Sequence, residues 1–392
     1  MSSTSPITGR RRPTSPTGTL PGAAGRSRSG SRRASKAAFA RRLTRQLHAW
    51  VGLALSVAML VLALTGSALV YKEAYWRLVY PELRVAAPTP TPEEQAAAIE
   101  AAADAFGERL RSVKFPEPGV AGYHLYLEGG EAFLSIGDHR VIDEWGSRDR
   151  LMSFLFDLHA HLLAGEAGER VGGVISLLGV FLAVTGLVLW WPARRQFRVR
   201  HLLPSGVRRR DLIAWHRNLG LVSTPILLVI LLSGSGLVFY ATAGKLLNRL
   251  FGDPPHTASA PRNEPRPPVQ PADAGILLRV KEEFPEARLV FYYPPGAAAG
   301  HHEFRLKQPC ELHPNGRSYL YLDGAGRVLA KEDGCAIAPG QVALHATYPL
   351  HSGKVDSALY RLAVFLSGLV LAALSASGAI AYARKLGWLG RS

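Results

Sequence analysis

Four stretches of this chain stay apolar for the thickness of a lipid bilayer, and no ordinary water-soluble fold can hide all of them. They lie at about 48–71, 171–191, 216–240 and 359–382, and about 20 consecutive apolar residues suffice for a helix that satisfies its own backbone across the hydrocarbon. The chain therefore reads as a membrane protein, all-α in its transmembrane part, built on a four-helix transmembrane bundle. A cleaved signal peptide does not explain the first stretch, because the apolar run is too long and ends without a small-x-small cleavage site.

Basic residues fix the expected orientation. Residues 1–47 hold eleven Lys or Arg and no acid, and 192–211 holds seven Arg and one Asp. Arg384, Lys385 and Arg391 follow the last span. Of the 30 acidic residues, all but Asp211 fall in 72–170 or 241–358. The N-terminus, the 192–211 loop and the C-terminus are expected to be cytoplasmic, with both long loops on the far side. The net charge of +16 sits beside the spans, so topology accounts for it and nucleic acid is not an expected partner.

These signals divide the chain in order. A disordered basic tail (1–40), poor in apolar surface, precedes the first span (41–71) and a first outer module (72–157). An interfacial segment with the second span (158–191), the basic loop (192–211) and the third span (212–240) follow. A second outer module (241–344), an interfacial segment with the fourth span (345–383) and a tail (384–392) complete it. Each outer module reads as α+β. In the first, "TPEEQAAAIEAAADAFG" opens with a capping box from Thr91 to Glu94, and "YHLYLEG", "EAFLSIG" and "HRVIDEW" look like strands. In the second, "PADAGILLRVKEEFP" reads as a helix, followed by "ARLVFYY", "HEFRLK", "SYLYLDG" and "RVLAKED". Cys310 and Cys335, the two cysteines of the chain, are placed to form a disulfide in an oxidising compartment.

An internal repeat runs through the spans. "LHAWVGLALSVAMLVLALTGSALVY" (47–71) matches "WHRNLGLVSTPILLVILLSGSGLVFY" (215–240) without a gap, putting His48 on His216, Gly52 on Gly220 and Gly66 on Gly234. A second ungapped match places "LHAHLLAGEAG" (158–168) on "LHSGKVDSALY" (350–360), His159 on His351, and Thr185-Gly186 on Ser377-Gly378. Both copies run in the same direction, so the expected pseudo-twofold axis lies along the membrane normal: an internal parallel duplication.

The repeat sorts four histidines into two depth-matched pairs, His48 with His216 near the inner face and His159 with His351 near the outer. A neutral imidazole offers one nitrogen to a metal and the other to a hydrogen-bond acceptor, and two facing imidazoles supply both axial ligands of a b-type haem. All four are accordingly candidate cofactor-binding residues and haem iron ligands, two haems in all. Thr65-Gly66 and Ser233-Gly234 lie 18 residues, about 27 Å, beyond their histidines, near the outer level. Thr185-Gly186 and Ser377-Gly378 lie toward the inner level. Small residues there leave room for a flat macrocycle. Small residues also serve plain helix packing, which is the reading given to "SGSG" at 233–236. Arg45, Arg217 and Arg361 lie close enough to meet haem propionates, although topology alone also puts them there. Zinc is disfavoured, since two histidines without nearby Cys or paired acid leave its shell short. His161 and His345 are reserve ligands on the outer side.

At these residues the sequence resembles the PepSY-associated transmembrane family of iron-regulated bacterial inner-membrane proteins. The motifs are "LHAWVGL" leading to "TG", "LHAHLLAGEAG" leading to "TGLVLWWP", "WHRNLGL" leading to "SG", and "LHSG" leading to "SGAIAYARK". The likeness covers about 40–387 and implies PepSY-like outer modules in the periplasm. It also implies a multi-pass inner-membrane location and an activity similar to di-haem ferric-siderophore reductases. The implied substrate is a ferric-siderophore or another Fe(III) chelate. Neither flank carries a dinucleotide fingerprint, so a cytoplasmic reductase or a membrane quinol is the expected donor. No acid, base or nucleophile of the chain is needed, and no catalytic residue is assigned. Tyr292, Tyr293, His301 and His302 are candidates for a chelate-holding surface, against the plainer reading of ordinary strand and turn residues. The competing function class is a haem-free membrane scaffold or regulator whose outer modules bind a periplasmic protein. A transporter finds little support, as the spans hold no buried acid or base suited to coupling.

Overall fold

The computed structural model describes residues 26–84, 89–252, 270–295 and 300–388. Packing divides the chain into Met1–Gln46 and Leu47–Ser392. In the first unit residues 1–25 lie outside the described residues, and 26–46 are helical with side chains at 35–46 mostly exposed, as befits a segment with little apolar surface to bury. The packing described below is that within the second unit.

In chain order the elements are α1 (Arg26–Leu69), α2 (Lys72–Val79), α3 (Pro92–Phe106), β1 (Leu110–Lys114), β2 (Gly122–Leu127), β3 (Gly130–Ser135) and β4 (Val141–Gly146). Next come α4 (Leu151–His161), α5 (Gly165–Trp190), α6 (Arg209–Val238), α7 (Tyr240–Phe251) and α8 (Ala274–Glu283). Then follow β5 (Arg288–Tyr293), β6 (His302–Lys307), β7 (Ser318–Leu322), β8 (Val328–Glu332), α9 (Pro339–His345), α10 (Thr347–Ser352) and α11 (Ala358–Leu386). Among the described residues four helices are long and apolar enough to cross a membrane: Ser35–Leu69, Gly165–Gln196, Arg209–Val238 and Ala358–Leu386. The protein is a multi-pass membrane protein.

Between these helices α6 is the hub, packing on α5, α10 and α11. Midway along the bundle Met59, Ile175, Leu227, Leu231 and Leu374 form an apolar core. A Cβ at Gly368 of α11 would meet the Ala63 carbonyl of α1 at 2.8 Å, so glycine there permits the two backbones to approach.

Outside the bundle the strands form one antiparallel sheet in the order β4-β3-β2-β1-β5-β6-β7-β8. The sequence suggests two separate small sheets; the structure joins them edge to edge, with Val113 opposite Tyr292 and Lys114 opposite Phe291. Each half would otherwise leave a strand with unpaired backbone groups, and pairing β1 with β5 covers both. One face carries α3 and α8, whose Ala98, Ile99, Ile276 and Leu277 pack on Tyr123, Leu125, Phe304 and Leu320. Thr91 caps α3 through the expected capping box with Glu94, and Asp273 caps α8 by accepting from the Ile276 amide. Cys310 and Cys335 are joined in a disulfide, their Cα atoms 5.9 Å apart.

Candidate functional site

The four repeat-related histidines meet in two tiers. In the sheet-distal tier, His48 of α1 and His216 of α6 have ring centres 6.3 Å apart and planes at 87°. In the sheet-proximal tier, His159 of α4 and His351 of α10 have ring centres 6.0 Å apart and planes at 34°. Along α1 the tiers are separated by the 17 residues from His48 to Thr65, about 25 Å of helix, with the apolar core between them.

Each ring is anchored by Nδ1. His48 Nδ1 lies 2.9 Å from Thr185 Oγ1 and His216 Nδ1 3.1 Å from Ser377 Oγ. Those hydroxyls already donate within their own helices, Thr185 to the Phe181 carbonyl at 2.8 Å and Ser377 to the Leu374 carbonyl at 3.1 Å. They are left to accept from the ring. In the other tier the partners are main-chain carbonyls: Leu62 O at 3.0 Å from His159 Nδ1, joined by Thr65 Oγ1 at 3.2 Å, and Ile230 O at 3.0 Å from His351 Nδ1. A carbonyl only accepts, so Nδ1 carries the proton and Nε2 keeps its lone pair. This is the tautomer that binds a metal through Nε2.

Glycines hold the rings in place. An ideal Cβ at Gly66 would stand 2.7 Å from His159 Cε1, and one at Gly234 2.8 Å from His351 Cε1. At the distal tier the fit is looser, 3.6 Å from Gly186 to His48 Cε1 and 3.2 Å from Gly378 to His216 Cε1. The small residues that sequence reasoning assigned to making room for a macrocycle thus also seat the imidazoles. Gly236, by contrast, faces Thr347 at 3.2 Å and packs α10 on α6.

Two imidazoles bound on opposite sides of one metal, each about 2 Å from it, have ring centres about 6 Å apart. Both tiers fit that spacing. Among the described residues no group of three or more His, Cys, Asp or Glu is disposed to hold a metal ion.

The sheet braces the proximal tier, by residues that no motif revealed. Ser153 of α4 accepts from Trp145 Nε1 at 2.9 Å and donates to Glu131 Oε1 at 2.9 Å. Glu131 Oε2 pairs with His124 Nε2 at 2.6 Å. Burial holds His124 down to about 4; Glu131, bonded to His124 and Ser153 and near Lys72, is held down to about 2 despite its own burial. Lys72 lies over the Trp76 ring at 4.3 Å and the Phe156 ring at 5.5 Å, and burial pulls it down to about 8. Lys354 pairs with Glu73, and Lys114 with Glu117. In the other half, His313 stacks on Tyr348 of α10 at 4.9 Å. For Lys114, His124 and Glu131 the signal in the sequence is a polar residue in a strand that otherwise reads as core.

The other candidates separate from the pairs. His161 turns to Asp157 on its own helix at 3.0 Å. His345 lines a small cleft with Cys310, His313 and Arg317. Tyr292 and His302 do not form a chelate-holding surface. Both are fully buried, and His301 is 5% exposed. The Tyr292 hydroxyl meets His302 Nδ1 at 3.1 Å inside the sheet core, because alternate residues of β5 and β6 point under α8. Tyr293 is half-buried. Arg45 and Arg361 are exposed; Arg217 donates to Gln196 Oε1 at 2.9 Å.

The profile of a protein family described as PepSY-associated TM region matches residues 45–385. No curated protein matches the chain.

Proposed function

From the premise that this chain belongs to the PepSY-associated transmembrane family, we propose that His48 with His216 and His159 with His351 each hold one b-type haem, and that the protein passes electrons across the inner membrane to a periplasmic Fe(III) chelate. The observation that carries this reading is the state of the four imidazoles. Every Nδ1–H is tied to an acceptor, and the rings of each pair stand at metal-sharing distance. Haem, when bound, supplies one-electron storage. His48, His159, His216 and His351 orient it, the glycines set the ring positions, and the apolar core between the tiers keeps water from the path. The two halves of the bundle and sheet are read as a parallel duplication carrying two PepSY-like modules.

The basic ends and the 192–211 loop face the cytoplasm in this reading, and the sheet lies in the periplasm. A cytoplasmic reductase or a quinol delivers the electron. The substrate is a ferric-siderophore or similar chelate: hard oxygen donors hold Fe(III) far more tightly than Fe(II), so one electron loosens the ion with no bond of the chelator broken. The test is the visible spectrum of protein purified from haem-replete cells. Two haems per chain and reoxidation of the dithionite-reduced protein by a ferric-siderophore are expected. A colourless protein would refute the reading and leave a scaffold that binds a periplasmic partner through its sheet.

A further inference from the structure

At the sheet-distal end several buried donors have no acceptor. Nε of Arg217, Nε and Nη1 of Arg384, and Nε1 of Trp190 are buried without a hydrogen-bond partner. Such groups are uncommon in folded proteins and call for an explanation. The three residues sit at the same end of three helices that pack together, α5 and α11 against α6. Their positions follow the distal tier. Arg217 is next to His216; Trp190 lies five residues beyond Thr185, which holds His48, and Arg384 seven beyond Ser377, which holds His216. Those spacings are about 7 and 10 Å of helix.

The chain has little to offer these groups. Asp211, the one acid outside 72–170 and 241–358, is within 3.5 Å of Arg210. Gln196 Oε1 takes Arg217 Nη1 and leaves Nε unmet. On the sheet side Lys354 and Lys114 pair with Glu73 and Glu117, while Arg317 Nε and Arg288 Nη1 are buried without a partner in the sheet half. Two guanidinium groups and an indole N–H, carried at the same end of helices that pack together, offer the donors that an oxyanion accepting several hydrogen bonds needs.

Resting on the haem reading above, we infer that Arg217, Arg384 and Trp190 clamp the carboxylate arms of the cofactor held by His48 and His216, and that this clamp belongs to the distal tier alone. A phospholipid headgroup would offer the same oxyanion chemistry from the membrane face, and the test separates the two. Wild type, R217Q, R384Q, R384K and W190F are purified, and haem content, the midpoint potential of each haem and bound phospholipid phosphorus are measured. Loss of a nearby positive charge disfavours the reduced state. R217Q and R384Q should therefore lower the potential of one haem and leave the other unchanged, and W190F should reduce the content of that haem. R384K, which keeps the charge, should stay near the wild-type potential and guards against mere misfolding. Unchanged potentials with less bound phosphorus would assign the donors to lipid and overturn the clamp. Unchanged potentials and phosphorus, or equal shifts at both haems, would overturn it as well. A wild type without haem would instead sink the reading on which the clamp rests.

Discussion

The two histidine tiers repeat one design with different materials. In the distal tier both histidines ride on long membrane-crossing helices, hydroxyls of Thr185 and Ser377 hold them, and the rings stand perpendicular. In the proximal tier both ride on short helices outside the spans, carbonyls of Leu62 and Ile230 hold them, and the rings are tilted by 34°. Gly66 and Gly234 press against those rings where Gly186 and Gly378 stand back. A hydroxyl is a side chain that substitution can remove, whereas a carbonyl is fixed by the helix itself. The proximal tier is therefore specified by backbone geometry and braced by the sheet, and the distal tier by side chains within the bundle.

The strongest attempt to break this contrast removes a ligand. His159→Ala or His351→Ala should abolish the proximal haem and external Fe(III) reduction, while His48→Ala or His216→Ala should abolish the distal haem and leave the proximal one reducible by dithionite. Haem-resolved difference spectra decide it, and loss of both haems from each folded single variant would contradict independent tiers. Next in size is the glycine contrast. Gly66→Ala and Gly234→Ala place a methyl inside contact distance of an imidazole, at an overpacking cost of about 1–3 kcal/mol, and should distort or empty the proximal tier. Gly186→Ala should be tolerated, as its Cβ meets His48 only at 3.6 Å; equal losses in haem content would remove the distinction.

Smaller still is the effect of the anchors. Thr185→Val should weaken distal cofactor binding about tenfold, the usual scale for a group that orients a metal ligand. Thr65→Val should leave the proximal tier nearly intact, since the Leu62 carbonyl remains. Comparing haem retention during dilution of the two variants measures the difference. The smallest effect is on the sheet brace. His124 is held below its ordinary value, so its contribution to stability is complete above about pH 6.5 and is lost as pH falls from there through about 4. Glu131, also depressed, gives up its contribution from about 4.5 through about 2. Both signs make acid loosen the proximal side first. Trp145 fluorescence should change between pH 6.5 and 4 before any shift in the distal haem spectrum.

How much of this could be read beforehand depended on whether the signal was local. The spans were legible because their length and apolarity need no context. The pairing of His48 with His216 and of His159 with His351 could be read because each member of a pair repeats the other's motif, at an offset of 168 residues in the first pair and 192 in the second. The joined sheet could not be foreseen: nothing near Val113 or Tyr292 announces that strands so distant in sequence will lie side by side. β1 itself hid because Ser112 and Lys114 are buried polar residues that spoil its apolar pattern. The carbonyl anchors escaped notice for a simpler reason, since a main-chain oxygen leaves no trace in residue type. For Tyr292 and His302 the plainer reading as ordinary strand residues holds, because the alternation of β5 and β6 turns them inward.

One consequence follows from how the ligands are dealt between the halves. Each pair takes one imidazole from residues before the 192–211 loop and one from residues after it, so neither half by itself carries a complete pair. A chain cut in that loop would be inert as separate fragments, yet mixing the two fragments in one membrane should restore colour. Complementation of that kind would make cofactor capture the event that reports, and fastens, correct assembly.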